Sequence, residues 1–570
     1  MTAPSLVIRN GTIVDGTGGE PFVADVEIRG STITSVGDVP QRGREEIDAR
    51  GLVVTPGFVD IHTHYDGQVT WSDSLASSAY HGVTTVLMGN CGVGFAPCAP
   101  EHRAILMRLM EGVEDIPGIV LERGLPWTWT TFPEYLDFLA GRRFDADVAT
   151  QIGHAPLRVY AMGERGAARE PSTDADRARM RALVSEAVDA GAFGVSTSRT
   201  IIHRSSDGSP TPSLGAAEAE LAAIADGLRD AGAGVMQLIS DFDDVDREWA
   251  MLRRVVERSG RPMSLSLLQH EHRPERWKRV LDHIHEAVDD GLRIKGQVGV
   301  RPVALVFSFS LSLCPFAGLP SYDALDDLDD DARLRALADP ALRDRILAER
   351  HGDETLQRRV ANFDNLYPMG DPPEYEPAPE QSIAAIATRE GRDPARVAYD
   401  LLLAGGMLYR PLYNYADRDL EVVRAMMQDR DTVLGLSDGG AHYGYISDAS
   451  FPTYLLTHWT RDRVRGARFS LADAVKWQTH DTAAAIGLTD RGRVAAGWKA
   501  DLNVIDYASL RLDPPRIEHD LPGGGRRLAQ HARGYFATIV SGEVTYRDGK
   551  ATGALPGRLV RRHASDARIC

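Results

Sequence analysis

Two histidines one residue apart, at the end of an apolar segment, constrain this chain more than any other feature. Residues 57–66 read Gly-Phe-Val-Asp-Ile-His-Thr-His-Tyr-Asp, so His62 and His64 close a pattern typical of a buried strand. Side chains alternate faces along a strand, and positions two apart therefore point the same way and can reach one cation. The spacing predicts a metal site at the end of a strand.

Two further apolar, β-branched segments end in residues that suit the same ion. Residues 81–92 end in a glycine-rich turn that carries Cys91, and residues 432–442 carry Asp438. Imidazole, thiolate and carboxylate together suit Zn²⁺. Side chains from distant strands meet when parallel strands close into a barrel, because the carboxyl ends of all the strands then lie at one face. We therefore expect these side chains to converge with the two histidines.

Strand-like and helix-like segments alternate through residues 56–490, which is the pattern of a parallel sheet covered by helices. Short β-rich segments joined by tight turns occupy residues 1–55 and 491–570. The predicted fold is α/β: a TIM-like (β/α)8 barrel, with one small β-sandwich domain built from both chain termini. Eight barrel strands are predicted near residues 57–64, 84–91, 148–154, 192–198, 234–240, 262–269, 293–299 and 432–438.

A long segment interrupts this alternation before the eighth strand. Residues 303–385 include an acidic, helix-like stretch and, at 371–379, the Pro-rich sequence Asp-Pro-Pro-Glu-Tyr-Glu-Pro-Ala-Pro. We interpret the segment as a helical insertion near the mouth of the barrel. It is either a lid over the site or a solvated decoration without a part in substrate handling.

The composition limits the compartment and the partners. With 570 residues and 43% hydrophobic residues the chain can bury a large core, and no apolar segment approaches the ~20 residues that span a bilayer. The net charge of −17 argues against nucleic acid or an acidic membrane as partner. Four cysteines do not make a disulfide framework, and no basic-then-apolar leader opens the chain. We expect a cytoplasmic protein, and the number of subunits is left open, with a homo-oligomer among the options.

The motifs resemble those of the amidohydrolase superfamily, and within it the D-aminoacylase (N-acyl-D-amino-acid deacylase) group. The resemblance runs from about residue 5 to about residue 550. It is carried by Pro-Gly-Phe-Val-Asp-Ile-His-Thr-His at 56–64, Gly-Asn-Cys-Gly at 89–92 and Ser-Asp-Gly-Gly-Ala-His at 437–442, with weaker support at 153–158 and 194–198. The His-x-His opening marks the superfamily, and Asn-Cys-Gly is the more specific mark of the group.

The resemblance implies a metal-dependent hydrolase that cleaves a C–N amide bond in a small molecule. In the family, a carboxylate after the eighth strand takes the proton from the attacking water and gives it to the leaving amine. That residue corresponds to Asp438, which would be both a metal ligand and the general acid/base. The resemblance also implies that Cys91 can bridge two metal ions.

The chain departs from the family pattern at the fifth and sixth strands, where the family has one histidine each. The fifth segment carries Gln237 and no histidine, and in the sixth Gln269 falls at the histidine's place. His270 then points to the other side, and Glu271 stands where the family has a substrate-binding lysine. A neutral amide is a poor Zn²⁺ ligand. We therefore expect one tightly bound ion, with the glutamines in hydrogen-bonding roles. A second ion, or His270 as a further ligand, is the competing assignment.

Without that lysine, a substrate carboxylate needs another cation. Arg301 follows the seventh strand and Arg199 ends the fourth, and either can offer a bidentate fork. His442, four residues after Asp438, and His154, at the end of the third strand, are further candidates for contact with substrate or for support of the ligands.

Two other functions remain open from the sequence. The altered fifth and sixth strands favour an amidohydrolase that acts on a different C–N substrate, such as a cyclic amide, a natural-product amide or an amidine. A barrel that binds a ligand or metal without turnover is the other alternative. Retention of His62, His64 and Asp438 argues against it, because none of the three is needed merely to fold a barrel.

Overall fold

The computed structural model describes residues 4–562. Eight parallel strands follow one another around a barrel in chain order, with helices between them. The TIM-like (β/α)8 arrangement predicted from the sequence is confirmed. The barrel strands are Phe58–Asp60, Val83–Met88, Asp147–Thr150 continued by Ile152–Gly153, Gly194–Arg199, Val235–Ser240, Met263–Ser266, Ile294–Val298 and Thr432–Leu434.

Hydrogen bonding runs around the barrel in two arcs rather than in one closed ladder. The arcs meet in the third strand, which Gln151 divides, so that Asp147–Thr150 pairs with the second strand and Ile152–Gly153 pairs with the fourth. On the opposite side an isolated parallel bridge between Thr63 and Gly439 joins the chain beyond the first strand to the chain beyond the eighth. The carboxyl ends of these two strands are therefore held together at one point.

Helices between the strands pack against the barrel and share its hydrophobic core. None of the helices within residues 4–562 is long and apolar enough to cross a membrane. Those with eight or more residues before the seventh strand are Arg103–Glu114, Phe132–Ala140, His154–Met162, Asp174–Asp189, Glu218–Ala231, Val245–Ser259 and Arg276–Asp289. One helix, Glu421–Gln428, precedes the eighth strand. The helical segments after it, several of them short, are Phe451–Tyr454, Leu455–Asp462, Leu471–Lys476, Trp477–Asp481 and Thr482–Ala485.

Both ends of the chain build one β domain, as the sequence predicts. Its strands are hydrogen bonded into a nine-stranded sheet that shares one apolar core. The Ile33 N–H donates to the Trp498 carbonyl at 2.8 Å, which ties the N-terminal hairpin to the C-terminal segment. The strands are Leu6–Ile13, Phe22–Arg29, Thr32–Gly37, Glu45–Asp48, Val53–Pro56, Leu502–Ile505, Tyr535–Val540, Glu543–Arg547 and Lys550–Ala551.

The insertion before the eighth strand has a hydrophobic core of its own, separate from that of the barrel. A three-stranded sheet of Ala304–Phe307, Leu408–Pro411 and Tyr367–Pro368 forms its base. Its helical part extends beyond residue 385, the end predicted from the sequence. Its helices are Pro320–Asp323, Asp330–Leu337, Pro340–Ala348, Glu354–Val360, Ile383–Glu390 and Pro394–Leu403. The domain boundaries near residues 55 and 490 stay a prediction, as does movement of the insertion as a lid.

A buried ion pair fastens the barrel to the segment that leads into the terminal sheet. Arg491 is 4% exposed and donates to Asp147 Oδ2 at 2.7 Å and to Thr85 Oγ1 at 2.8 Å. Removing one member of a buried pair leaves a charge without its partner in a medium of low dielectric constant.

We predict that Arg491→Met lowers the free energy of unfolding by about 3 kcal/mol, because Asp147 then keeps only Lys499 as a cation. Thermal and urea unfolding followed by circular dichroism measure the change. Arg50→Met is the matched control, since the Arg50 pair with Asp48 is exposed and contributes about 0–1 kcal/mol. Equal unfolding midpoints for both variants would contradict the prediction.

Candidate metal centre

Backbone hydrogen bonds bring the predicted ligands of the first and eighth strands together. The Asp438 N–H donates to the His62 carbonyl at 3.1 Å, and the His64 N–H donates to the Gly439 carbonyl at 2.8 Å. The first strand itself ends at Asp60, earlier than predicted, and these bonds align residues 62–64 beside the eighth strand's end. The two imidazoles and the carboxylate are thus placed by the backbone as well as by their own contacts.

Four side chains converge there at nearly equal spacing. His62 Nε2 lies 3.3 Å from Cys91 Sγ and 3.4 Å from Asp438 Oδ1, and His64 Nε2 lies 3.4 Å from the same oxygen. Ligands at ~2.0–2.3 Å from a zinc ion stand roughly 3.3–3.8 Å from one another in a tetrahedron. His62, His64 and Cys91 also lie close enough together to hold one ion. The arrangement therefore fits Zn²⁺ in both spacing and donor chemistry.

Burial and neighbouring groups together set the pKa values of the donor groups. It lowers the pKa of His62 to about 4, which keeps this imidazole neutral, as a metal ligand must be. Burial also raises the pKa of the Cys91 thiol to about 11, so the thiolate needs a cation beside it. For Asp438 burial acts upward, but the hydrogen bond with His64 and the charges of His62 and His64 outweigh it and hold its pKa below the usual value. The donor set favours a bound cation.

Two buried side chains that the sequence analysis missed contact the outer nitrogens of the histidines. Gln297 Oε1 lies 2.6 Å from His62 Nδ1, and Glu114 Oε1 lies 3.2 Å from His64 Nδ1. The hydrogen bond with Gln297 at His62 Nδ1 leaves Nε2 free to face an ion, and the contact of Glu114 with His64 Nδ1 is an ionic one on the same side of that ring. Gln297 could have been noticed, because it stands near the end of the predicted seventh strand. Glu114 ends a helix far from every motif, and no sequence signal marks it.

Two more histidines border the centre. His442 Nε2 lies 3.8 Å from Asp438 Oδ2, on the carboxylate oxygen that does not face the other ligands. His203, which the sequence analysis also missed, follows the fourth strand, and its Nδ1 is 2.9 Å from Ser198 Oγ. Burial, followed by the charges of His442 and His64, lowers the pKa of His203 to about 3. His442 thus contacts Asp438, and His203 lies near enough to the centre for the charges of His442 and His64 to act on it.

The two candidate glutamines lie in different surroundings. Gln237 belongs to the centre, because its Oε1 accepts the Cys91 N–H at 2.9 Å. Gln269 lies beyond the sixth strand, which ends at Ser266, and its side-chain amide donates to Asp417 Oδ2 at 3.0 Å. Both make hydrogen bonds, as expected, but the amide of Gln269 is directed to a loop that follows the insertion.

The neighbours of Gln269 are also occupied by that part of the chain. The His270 ring makes an edge contact with Tyr413, with the ring centroids 4.9 Å apart. Among residues 4–562, His270 does not belong to the group of potential ligands formed by His62, His64 and Cys91. Glu271, at the place of the family lysine, forms an ion pair with Arg410 at 3.0 Å. The end of the sixth strand therefore serves as a docking point for the insertion.

The arginines predicted to meet substrate are engaged elsewhere. Buried Arg301 donates to Asp448 Oδ1 at 3.0 Å, and its guanidinium lies 3.5 Å from the centre of the Tyr375 ring. Arg199 forms a bidentate pair with Glu248. Arg199 would have to give up Glu248 to take a substrate carboxylate, whereas Arg301 is buried and keeps Nε and Nη1 without a hydrogen-bond partner within residues 4–562.

His154 is fully buried between two protein partners. Its Nδ1 lies 2.8 Å from Thr197 Oγ1 and its Nε2 lies 2.9 Å from Glu220 Oε1. With both ring nitrogens occupied, the side chain ties the third strand's end to the fourth strand and to helix Glu218–Ala231.

The chain belongs to the amidohydrolase family, whose model matches residues 45–546. The resemblance to the D-aminoacylase group that the motifs indicated is confirmed by the relatives. A D-aminoacylase of Alcaligenes xylosoxydans xylosoxydans is 27% identical over 98% of this chain and 98% of its own length. An N-acyl-D-glutamate deacylase of the same organism is 29% identical over 99% of this chain and 97% of its own length.

Solved structures show the same fold. A D-aminoacylase crystal structure aligns over 98% of this chain and all of its own, with a TM-score of 0.64 and 24% identity. An N-acyl-D-glutamate deacylase from Bordetella bronchiseptica, complexed with zinc and a phosphonate inhibitor, aligns over the same shares with a TM-score of 0.65 and 22% identity. At these identities the structures establish the fold alone.

We predict that Cys91→Ser lowers the zinc content of the purified protein, because a hydroxyl replaces the thiolate. Elemental analysis after dialysis against metal-free buffer measures the loss. Cys98→Ser is the control, since Cys98 is equally buried and its thiol donates only to the Ala99 carbonyl. Full zinc content in Cys91→Ser would remove Cys91 from the ligand set.

Proposed function

We propose that this protein is a metal-dependent hydrolase that cleaves the C–N amide bond of N-acyl-D-amino acids. The observation that carries the proposal is the convergence of His62, His64, Cys91 and Asp438 at spacings of 3.3–3.4 Å. Family membership supports the reaction class, and the names of the relatives suggest the substrate class. The three cysteines in residues 4–562 form no disulfide, which suits the reducing cytoplasm we propose as the compartment.

The two oxygens of Asp438 suit two tasks. Its Oδ1 lies among the imidazoles and its Oδ2 faces His442. A bound Zn²⁺, which accepts a fifth ligand in hydrolases, would supply an acidified water and polarise the substrate carbonyl. Asp438 Oδ2 then accepts the proton of the attacking water and donates it to the nitrogen of the leaving amine. Because the hydrogen bond with His64 and the imidazole charges outweigh the effect of burial, the pKa of this carboxylate stays below its usual value and Asp438 starts the reaction deprotonated.

One tightly held ion agrees better with these residues than two. Gln237 and Gln269 stand where the family has histidines, and Gln269 is bonded away from the centre. Of the residues that the family pattern would use to bind a second ion, only the cysteine, Cys91, is present at the centre. We therefore propose a single high-affinity zinc site per chain.

We propose Arg359 as the cation that receives the substrate carboxylate. It lies in the last turn of the insertion helix Glu354–Val360 and is exposed, and no ion pair of Arg359 occurs among residues 4–562. The preceding carbonyl, of Arg358, accepts from Arg410, which also pairs with Glu271. This contact docks the helix beside the end of the sixth strand, where the family has its substrate-binding lysine.

The electrostatic influence of Arg359 reaches the centre. Burial is the main reason that the pKa of His442 falls to about 4, and the charge of Arg359 adds to that decrease. The same charge acts on Tyr445, which stacks on His442, and on Asp115. A carboxylate between Arg359 and His442 would therefore be attracted to the insertion side of the mouth.

The proposal is tested by incubating the zinc-loaded protein with N-acetyl-D- and N-acetyl-L-amino acids that have acidic, apolar and basic side chains. We expect free amine from the D-series, and loss of activity when a chelator removes the ion. If no member of the panel releases amine, the deacylase assignment is wrong.

A different C–N substrate is the second candidate, favoured by the Glu271–Arg410 pair where the family has a lysine. At the position where the family lysine would bind an anionic substrate, this chain has a carboxylate whose charge is balanced by Arg410. Turnover of an uncharged cyclic amide by a protein inactive on the D-series would support this candidate.

We predict that Asp438→Asn lowers kcat by roughly 10²–10⁴-fold, because the amide cannot accept the proton of the attacking water. Steady-state kinetics with the best N-acyl substrate measure the change. Zinc content determined on the same preparation separates loss of proton transfer from loss of the ion. Unchanged kcat with zinc retained would exclude Asp438 as the general acid/base, and binding without turnover in the wild type would indicate a non-catalytic barrel.

We predict that Arg359→Met raises KM by about tenfold with little change in kcat, because the lost charge contributes to binding and not to proton transfer. Arg358→Met is the matched control: it is the neighbouring exposed arginine, and its side chain reaches only Thr355. A wild-type KM in Arg359→Met would contradict the assignment. An equal increase of KM in both variants would also contradict it, because the effect would then come from general surface charge.

A further inference from the structure

Glu114 is a buried carboxylate next to the candidate metal centre that comes from outside the barrel strands. It is the last residue of helix Arg103–Glu114 and is 1% exposed. A carboxylate is rarely buried so completely unless a cation or several hydrogen bonds hold it. None of the arginines or lysines in residues 4–562 forms an ion pair with it, and its ionic contacts are both with imidazoles.

Each oxygen of Glu114 faces a different histidine of the centre. Oε1 lies 3.2 Å from His64 Nδ1, and Oε2 lies 3.6 Å from His442 Nε2. Neither Oε2 nor His64 Nδ1 has a hydrogen-bond partner within the described chain, so Glu114 meets His64 through an ionic contact. The backbone carbonyl of Glu114 also accepts the N–H of His442. One residue thus contacts a candidate ligand of the first strand and the loop after the eighth.

The next residue reinforces this connection. Asp115 has a left-handed backbone, with φ of 50°, and this turn ends the helix. Its carboxylate accepts the Gly444 N–H at 2.7 Å and the Ser312 hydroxyl at 3.1 Å. The end of the helix is therefore fixed to the loop that follows Asp438, which limits the positions that the Glu114 carboxylate can take.

The two candidate imidazole ligands have different partners at their outer nitrogens. His62 has the neutral amide of Gln297, whereas His64 has the carboxylate of Glu114. A carboxylate at the outer nitrogen fixes the ring orientation, makes the imidazole more basic and strengthens its bond to a metal. The charges support the same conclusion. Cys91 and Asp438 together balance one divalent ion, and because burial raises the pKa of Glu114 to about 7, a cation at the centre would favour the charged form of this carboxylate.

We infer that Glu114 is a positioning residue that orients His64 and raises the affinity of the centre for its metal ion. The inference rests on the proposed metal-dependent function. A role in packing alone would need only the shape of the side chain, and glutamine keeps that shape. The charge of the carboxylate is what distinguishes the two roles.

The test measures zinc affinity by competition with a chromophoric chelator in wild type, Glu114→Gln and Glu114→Ala. We expect affinity to fall roughly tenfold in Glu114→Gln and roughly a hundredfold in Glu114→Ala. The absorption spectrum of the cobalt-substituted protein provides a second measurement. The thiolate-to-cobalt absorption of Cys91 should persist in Glu114→Gln while the ligand-field bands shift, because only the His64 bond is altered.

Glu111→Gln is the matched control, with the same substitution one turn earlier in the same helix, where the carboxylate accepts only the Gly118 N–H. It should bind zinc like the wild type. Wild-type affinity in Glu114→Gln would overturn the inference while leaving the proposed function intact, and an equal loss in Glu111→Gln would also overturn it. If Glu114→Ala does not fold, Glu114→Gln still decides. A wild-type protein that binds no zinc would refute the proposed function and this inference together.

Discussion

The pair of backbone hydrogen bonds between the chain beyond the first strand and the chain beyond the eighth is the contact on which the site depends. His64 and Asp438 each donate an N–H across this junction. The eight-stranded ladder is otherwise interrupted here, since neither strand reaches as far as the junction. The same two bonds therefore close the barrel and set the distance between the imidazoles and the carboxylate. Closure of the barrel and assembly of the candidate metal site therefore share one junction, and a cation held by both segments would reinforce it.

The part of the centre that departs from the family pattern has been taken over by structural contacts. After the sixth strand ends at Ser266, the chain bonds to the loop at residues 413–417 and to Arg410, so this edge of the barrel supports the insertion. Gln237 has kept a place at the centre, but as an acceptor for the Cys91 backbone. The glutamines at these two positions thus have hydrogen-bond partners of their own, and the packing of the barrel does not need histidines there.

The sequence predicted the barrel, the contribution of both termini to one β domain and the convergence of His62, His64, Cys91 and Asp438, because these features lie in local patterns. It could not predict Gln297 or Glu114 as partners of the histidines. The contact between Gln297 and His62 joins residues 235 positions apart, and a lone glutamine or glutamate has no signature. The surroundings of Arg301 and Arg199 could not be predicted for a similar reason: a strand-end position predicts where a guanidinium begins, but its partners come from distant parts of the chain.

The backbone conformation of the centre supplies a further constraint. Cys91, Asp438 and His442 all have positive φ values, of 54°, 49° and 53°. A left-handed conformation costs a residue with a side chain roughly 1–2 kcal/mol, so each must be held in place. In all three the strained residue donates its N–H to another member of the centre: Cys91 to Gln237, Asp438 to His62 and His442 to Glu114. The side chains that would hold an ion are therefore fixed by residues of the same site. Gln237 provides the one side-chain acceptor of the three, so its substitution should loosen the candidate ligand Cys91 without disturbing the barrel.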